Sequence, residues 1–335
     1  MWQQQLRIST NKMVQNRKQL KIAVLHGGFE PERYVSDLTG ENIYKALKNA
    51  GYKNTRKLFV DKNVIKNLEK TKPDFAYIAM YCKWGEDGII QSLLEIMGIP
   101  YSGCDVETSS LCKNKYLFNK FVIGCGLDAP ETYFYGNLDE YRIQKPQIVY
   151  PCIVKAIYQG YSLGTSYTNQ PEDVEHAITK AFQFSTRITI QEYIDGKELT
   201  VGIIDTPTNG RQVLPIIELS FSGHKIQDTE VKDNPKLIKE KLPAKLTNNL
   251  EQKLKEQSLE LFIRLGCYGV SRFDIRLKKK KFYFLENNTC PGIISYEMSD
   301  LPKQLKAVKI SLEEFVDNMV YLGLIRPEKK LEYIC

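Results

Sequence analysis

The stretch RFDIRLKKKKFYFLENN, residues 272–288, leaves the chain few ways to fold locally. Two runs with an alternating pattern flank four lysines, and a period of two is that of a β-strand with one buried face. Lysines tolerate an exposed turn, so the segment predicts an antiparallel hairpin folded about Lys278–Lys281. In that hairpin Arg272 and Asp274 share one face, Glu286 and Asn288 share one face of the partner strand, and Asp274 falls nearly opposite Glu286. Asn287 points the other way. Two carboxylates and an amide oxygen on one patch, with no His or Cys among them, are hard-oxygen ligands suited to Mg²⁺ or Mn²⁺, with phosphate completing the shell. A polar strand end carrying an Arg272 salt bridge is the plainer alternative, because an unpaired buried polar group costs about 1–3 kcal/mol and must reach water or a partner.

Upstream the chain alternates strand and helix. KIAVL (21–25) breaks at Gly27-Gly28, and Val35, Leu38, Ile43 and Leu47 follow at helical spacing as far as Gly51. DFAYIAMY (74–81) leads through GEDG to a helix bearing Ile89, Ile90, Leu93, Leu94 and Met97, stopped by Gly98 and Pro100. This alternation predicts a small parallel sheet with ligands at the carboxyl ends of its strands. After about residue 110 the pattern changes to a helix in LCKNKYLFNKFVIGCG, strands at 151–157 and 187–194, and a helix near 171–183. Strands at 213–219, a polar loop at 222–241, a helix at 246–265, the hairpin and a closing helix complete the chain. Ser311 and Glu314 stand in capping-box spacing at the start of that last helix. The expected organisation is a disordered extension (1–20), an N-terminal parallel α/β domain (21–110), a central α+β subdomain (111–205) and a C-terminal subdomain (206–330).

Composition excludes several classes. The 335 residues suffice for two or three domains. The formal charge of +7 comes from 47 basic and 40 acidic residues spread along the chain, which favours a solvated surface over a nucleic-acid interface. Eight Cys without a C-x-x-C pair, and three His, argue against zinc or a disulfide framework and for reduced thiols in the cytoplasm. No apolar run reaches the roughly 18 residues of a membrane span. Residues 1–20 lack the apolar core of a secretory signal, although their basic, acid-free composition leaves a transit peptide open.

Other residues carry possible chemistry. QGYSLG (159–164) has the glycines and the hydroxyl, Ser162, of a phosphate-covering loop, and equally those of an ordinary turn. Lys155 tips the balance, because a Lys inside an apolar strand calls for an anionic partner such as phosphate. Lys115 alone reads as a surface residue. Glu192 and Glu198 can hold adenine and ribose groups or simply line a solvated turn. Glu32, Glu86 and Asp87 follow glycine bends at strand ends; an amino-acid ammonium suits Glu32, while charge at a helix N-terminus explains Glu86 and Asp87 better.

GGFEPERYVS, GEDGIIQSLLEIMGIPYSG, NKYLFNK, PCIVKAIYQGYSLGTS, QEYIDGKELTVG, RFDIR and LENNTCPGI, in that order over residues 21–325, resemble the D-alanine:D-alanine ligase family of the ATP-grasp superfamily. The resemblance implies an ATP-grasp fold with an N-terminal pre-ATP-grasp domain, and an enzyme that phosphorylates one amino acid on its carboxylate and lets the amine of a second attack the acyl phosphate. It implies ATP and Mg²⁺ (or Mn²⁺) as cofactors, amino acids as substrates and a homodimer formed through the N-terminal region. Lys115 and Lys155 match the lysines that touch the nucleotide phosphates, Gln191, Glu192, Tyr193 and Ile194 the adenine-side segment, and Glu198 the ribose-binding acid. Asp274, Glu286 and Asn288 match the metal ligands. Arg272 and the amide of Gly292 match groups that stabilise the transferring oxygens, with Ser162 on the glycine loop, and Glu32 matches the acid that receives the first ammonium.

Several positions depart from the pattern: Tyr81 replaces a His, Ala156 a Pro and Tyr161 a Ser, and Asp233, beside Lys232, replaces a loop Tyr. Glu297 stands where the resemblance implies a serine for the acceptor's carboxylate, and like charges repel. Tyr81, Lys232 and Glu297 are thus the substrate-side candidates, and Glu297 favours an amine or basic amino acid as acceptor. A nucleotide-binding relative without turnover, and an ATP-grasp enzyme using a hydroxy acid, are the other classes the departures leave open.

Overall fold

The computed structural model describes residues 12–29, 33–81, 83–144, 146–295 and 298–326. The first sheet pairs β1 (Ile22–Gly27), β2 (Thr55–Val60) and β3 (Phe75–Ile78) parallel in the order β2-β1-β3, with the apolar runs of β1 and β3 buried on both faces. Side chains of β1 alternate between two cores, Ile22 and Val24 facing one and Ala23 and Leu25 the other. Gly27 turns the chain at φ 103°, and a Cβ there would meet the Phe59 ring at 2.5 Å, so only glycine fits. Helix α1 (Arg33–Asn49) follows and buries Val35, Thr39, Ile43 and Leu47, whereas Leu38, expected on that face, is exposed.

Between α1 and β3 lie β2 and α2 (Val64–Thr71), neither of which the apolar pattern announces: Arg56 and Lys57 occupy the strand and only Leu68 of the helix is buried. Helix α3 (Ile89–Ile96) follows. Residues 12–20, expected to be disordered, pack instead. Met13 and Val14 lie on the first core, and Arg17 and Lys18 reach Asp317 of the last helix at 2.9 and 2.6 Å, where the Tyr52 hydroxyl also donates to the same carboxylate.

The single helix expected near residue 115 is two, α4 (Val106–Lys113) and α5 (Lys115–Gly124). Asn114 breaks them: its side-chain oxygen accepts from the amides of Tyr116 and Leu117 at 3.1 Å, which makes it an N-cap and sets Lys115 on the first turn of α5. The central sheet is antiparallel, built from β4 (Thr132–Tyr135), β5 (Cys152–Ala156), β6 (Ser166–Thr168) and β7 (Ile188–Glu192) in the order β4-β7-β5-β6. It is backed by α6 (Leu138–Gln144) and α7 (Val174–Phe182).

The third sheet joins β8 (Lys197–Thr206), β9 (Gly210–Val213), β10 (Ile217–Phe221), β11 (Ile238–Lys241), β12 (Val270–Lys278) and β13 (Lys281–Asn288), running β11-β10-β8-β12-β13 with β9 on β8. Strand β8 therefore belongs to this sheet, and the two antiparallel sheets part at Tyr193–Gly196, ahead of the boundary expected at 205. The polar segment 222–241 contains α8 (Thr229–Asp233) as well as β11. Helices α9 (Asn248–Arg264), α10 (Asp300–Ala307) and α11 (Leu312–Ile325) complete the chain, the last capped by Ser311, whose hydroxyl accepts from the Glu314 amide at 3.0 Å. Among the described residues no helix is long and apolar enough to cross a membrane.

Candidate functional site

The hairpin forms in the expected register: Asp274 faces Glu286 and Arg272 faces Asn288 across β12 and β13. A bulge after Asp274 shifts the rest of the ladder without disturbing these pairs. Asn287 does point away, and its amide donates to the sulfurs of Cys112 and Cys267 at 3.3 and 3.2 Å.

These strands floor a cleft of about 800 Å³, including its open mouth, between the two antiparallel sheets. That is within the range of small-molecule sites. Of the residues singled out in the sequence, Lys115, Lys155, Ser162, Gln191, Glu192, Tyr193, Ile194, Glu198, Lys232, Asp274 and Glu286 all line it. A second hollow shares Lys115, Gly160 and Glu286 and extends past Asn288 to Tyr81, whose backbone amide donates to Ser36 at 2.9 Å. Arg272 lies beside this floor, donating to Asp274 at 3.0 and 3.2 Å and facing Asp300 at 3.6 Å. Gly292 lies against α1, where a Cβ would stand 3.3 Å from Val35. Glu32 and Glu297 lie outside the described residues.

Charge explains why the floor needs a ligand. Burial would raise the Glu286 carboxyl, but the ammoniums of Lys115, Lys155 and Lys232 outweigh it and hold Glu286 down to about 2. Burial, with the Glu286 charge adding to it, pushes Asp274 up to about 6 against the pull of Arg272. Two facing carboxylates of which one resists ionisation, with the Asn288 amide 3.1 Å from Asp274, form a donor set that a hard dication relieves. Three protein groups do not fill a six-oxygen shell, so phosphate and water oxygens have room to complete it. Burial likewise lowers Lys155, to about 8, and Lys232. Lys155 donates to Gln191 at 2.9 Å, and Lys115 to the Gln159 carbonyl at 2.7 Å, 3.5 Å from Glu286. A surplus of desolvated cations around the rim is an anion site in wait.

At the opposite end Glu198 is paired at 2.6 Å with Arg276, a residue the sequence reading passed over. Arg276 also donates to the carbonyls of Gly196 and Lys225 at 3.0 Å and lies over the Tyr193 ring, so it fastens the linker between the sheets to the 222–241 segment. Its signal was present: alternation puts Arg272, Asp274 and Arg276 on one face. Ile153 and Leu285 supply apolar walls, and Ser162, on the glycine loop, donates to the Gln227 carbonyl at 2.6 Å.

Two antiparallel sheets closing on a cationic cleft, behind a parallel N-terminal sheet, define an ATP-grasp protein. The family model "D-ala D-ala ligase C-terminus" matches residues 136–321. The D-alanine--D-alanine ligase of Carboxydothermus hydrogenoformans is 34% identical over 314 residues, covering 91% of this chain and 98% of that protein. The Thermotoga maritima enzyme of the same name is 33% identical over 300 residues, with 89% and 95% covered. The solved D-alanine--D-alanine ligase of Bacillus anthracis complexed with ATP superposes with a TM-score of 0.76 at 26% identity, over 91% of this chain and 97% of that one. The chain belongs to the D-alanine--D-alanine ligase family.

Proposed function

We propose that this chain is an ATP-dependent carboxylate-amine ligase that joins two amino acids, with D-alanine as the first. The observation that carries the reading is the ring of Lys115, Lys155, Lys232 and Arg272 around the facing carboxylates Asp274 and Glu286. Such an array suits phosphoryl transfer, which is chiefly positioning and neutralisation of charge. Lys115 and Lys155 bind the nucleotide phosphates, Gln191–Ile194 face adenine, and Glu198, oriented by Arg276, accepts from the ribose hydroxyls. Asp274, Glu286 and Asn288 hold Mg²⁺, which when bound neutralises phosphate charge. Arg272 and the Gly292 amide stabilise the oxygens of the γ-phosphoryl group as it passes to the first carboxylate and ADP departs. Glu32 holds the first ammonium. The second amine then attacks the acyl carbon, the C–O bond to phosphate breaks, and the amine's proton leaves to solvent.

The sequence position of Glu297 favours an acceptor that carries a positive group in place of a free carboxylate alone. A homodimer belongs to the same reading, since Ile65, Ile89 and Ile96 expose apolar surface on α2 and α3. So does a cytoplasmic setting, which suits the free thiols of the six described cysteines. The test is phosphate release from ATP and Mg²⁺ with D- and L-amino acids, alone and in pairs. Turnover with D-alanine as one member is expected, the second member naming the acceptor; no stimulation by any pair sinks the reading.

A further inference from the structure

Two loops meet over the mouth of the cleft through side chains the mechanism above does not use. Tyr161 and Ser162, at the tip of the glycine loop, are consecutive non-glycine residues at φ 48° and 62°, closed by a bond from the Leu163 amide to the Gly160 carbonyl. Left-handed backbone is sterically costly for a residue with a Cβ and persists only where surrounding contacts impose it. Those contacts come from elsewhere in the chain. The Tyr161 hydroxyl donates to Asp233 at 2.8 Å, and the Tyr34 ring, on α1, meets the Tyr161 ring edge-on with centroids 5.9 Å apart. The Lys232 ammonium lies 5.4 Å from the centre of the Tyr161 ring.

Lys232 needs this support. It is one of the cations that hold Glu286 ionised, yet it stands on α8, a helix of five residues. Asp228 caps that helix, accepting from the Val231 amide at 2.9 Å, and is itself bonded to His224 at 2.9 Å, so α8 is ordered within itself. It is fixed against the glycine loop by the Tyr161–Asp233 bond, one residue from Lys232, by the ring face that receives the ammonium, and further along the segment by the bond from the Ser162 hydroxyl to the Gln227 carbonyl.

We propose that Tyr161 and Asp233 form a positioning pair: their hydrogen bond fastens the glycine loop to the 222–241 segment and thereby sets Lys232 over the Asp274/Glu286 floor. Neither residue touches the reacting atoms. The pair acts on the chemical step through Lys232, and the strained turn at 161–162 is the cost of presenting the phenol to Asp233. Both positions depart from the family resemblance, and they touch one another, so the two departures act as one unit. This inference rests on the ligase reading.

The experiment is a double-mutant cycle on the full-length protein with Tyr161→Phe, Asp233→Asn and both together, followed by phosphate release with the amino-acid pair that stimulates the unaltered protein. Each single change is expected to lower kcat by about tenfold with a smaller effect on the KM for ATP, and the double change to lower it by about tenfold in total rather than a hundredfold, because groups acting as a unit do not add. Asp233→Glu restores part of the rate, whereas Lys232→Ala loses more than either single change and is insensitive to Tyr161→Phe. Melting temperatures in the absence of nucleotide stay within a degree or two, since Tyr161 lies in a loop and Asp233 is exposed at the end of a five-residue helix. Single effects that multiply in the double variant, single variants as active as the unaltered chain, or activity losses that follow melting temperature would each overturn the pair. Absence of turnover in the unaltered protein would instead strike the ligase reading, which separates the two failures.

Discussion

Two turns in this molecule adopt the same uncommon backbone. Lys279 and Lys280, at φ 47° and 66°, close the β12–β13 hairpin, and Tyr161 and Ser162 form the tip of the glycine loop. In the hairpin the turn is dictated by its neighbours: Lys278 pairs with Lys281 at the end of a long ladder, and two left-handed residues give the twist that ladder requires. The glycine loop is framed more loosely, because the ladder of β5 and β6 stops at Val154 and Ser166, well short of the tip. Its tip is held by side-chain contacts to Asp233, Gln227 and Tyr34. The difference divides the site into groups fixed by a sheet, namely Arg272, Asp274, Arg276, Glu286 and Asn288, and groups fixed only when two loops meet, namely Ser162 and Lys232.

If the sheet carries the chemistry independently of stability, Asp274→Asn should show it most strongly. Turnover should fall by about 10³-fold, the scale of losing a preorganised charge in phosphoryl or acyl transfer. Stability should hold or rise. Burial and Glu286 raise the Asp274 carboxyl against the pull of Arg272, so the neutral isostere sheds a disfavoured charge while keeping an amide oxygen that the Arg272 guanidinium can donate to. Melting in the absence of nucleotide and metal, measured beside turnover, checks this; a large fall in melting temperature would make Asp274 structural and break the division.

Arg276→Met is expected to have the next largest effect, on stability. Both partners of the Arg276–Glu198 pair are nearly buried, and removing the cation leaves a desolvated carboxylate, a loss of about 3 kcal/mol. Chemical denaturation reads the loss, and the KM for ATP should rise with it because Glu198 loses its orientation. Unchanged denaturation would show that Glu198 is already hydrated through the open cleft.

A smaller effect separates the cations by pH. Burial lowers Lys155 to about 8 against an ordinary 10.5, so the free folded chain binds fewer protons than the unfolded one between those values, and stability gains from this residue as pH rises through that window. Nucleotide phosphates favour the protonated form, so binding takes up a proton above pH 8. ATP affinity should weaken by about tenfold from pH 7 to pH 9, the limit for one obligatory proton on a group of pKa 8. Calorimetry in buffers of different ionisation enthalpy measures both the affinity and the proton; a flat profile would assign the phosphate contact to Lys115 alone.

What could be read from the sequence follows the same division. Alternation in RFDIR and FYFLENN placed Asp274 opposite Glu286 because a strand's period of two is a strict local rule, and glycine punctuation revealed the parallel sheet. Strand β2 and helix α2 escaped because charged residues interrupt their apolar faces. Residues 12–20 looked like a tail because the partner that orders them, Asp317, is 300 residues away from Arg17. Tyr161 and Asp233 showed only as departures from a pattern; that they touch is a fact of loop closure, over 72 residues of chain, which no local period encodes.

The finest test compares the two turns directly. Lys280→Gly should relieve left-handed strain in the hairpin and stabilise the chain by up to about 1 kcal/mol, since glycine adopts that conformation without steric cost while the ladder keeps the turn closed. Turnover should not change. Ser162→Gly relieves the same strain at the glycine loop but deletes the hydroxyl that donates to Gln227, so the tip loses one of its anchors as it gains conformational freedom. Its stability should change little, and the KM for ATP should rise by a few-fold, the scale of one neutral hydrogen bond. Equal outcomes for the two substitutions would mean that the glycine loop is as well determined by its own backbone as the hairpin is, and that its contacts to the 222–241 segment accompany closure without maintaining it.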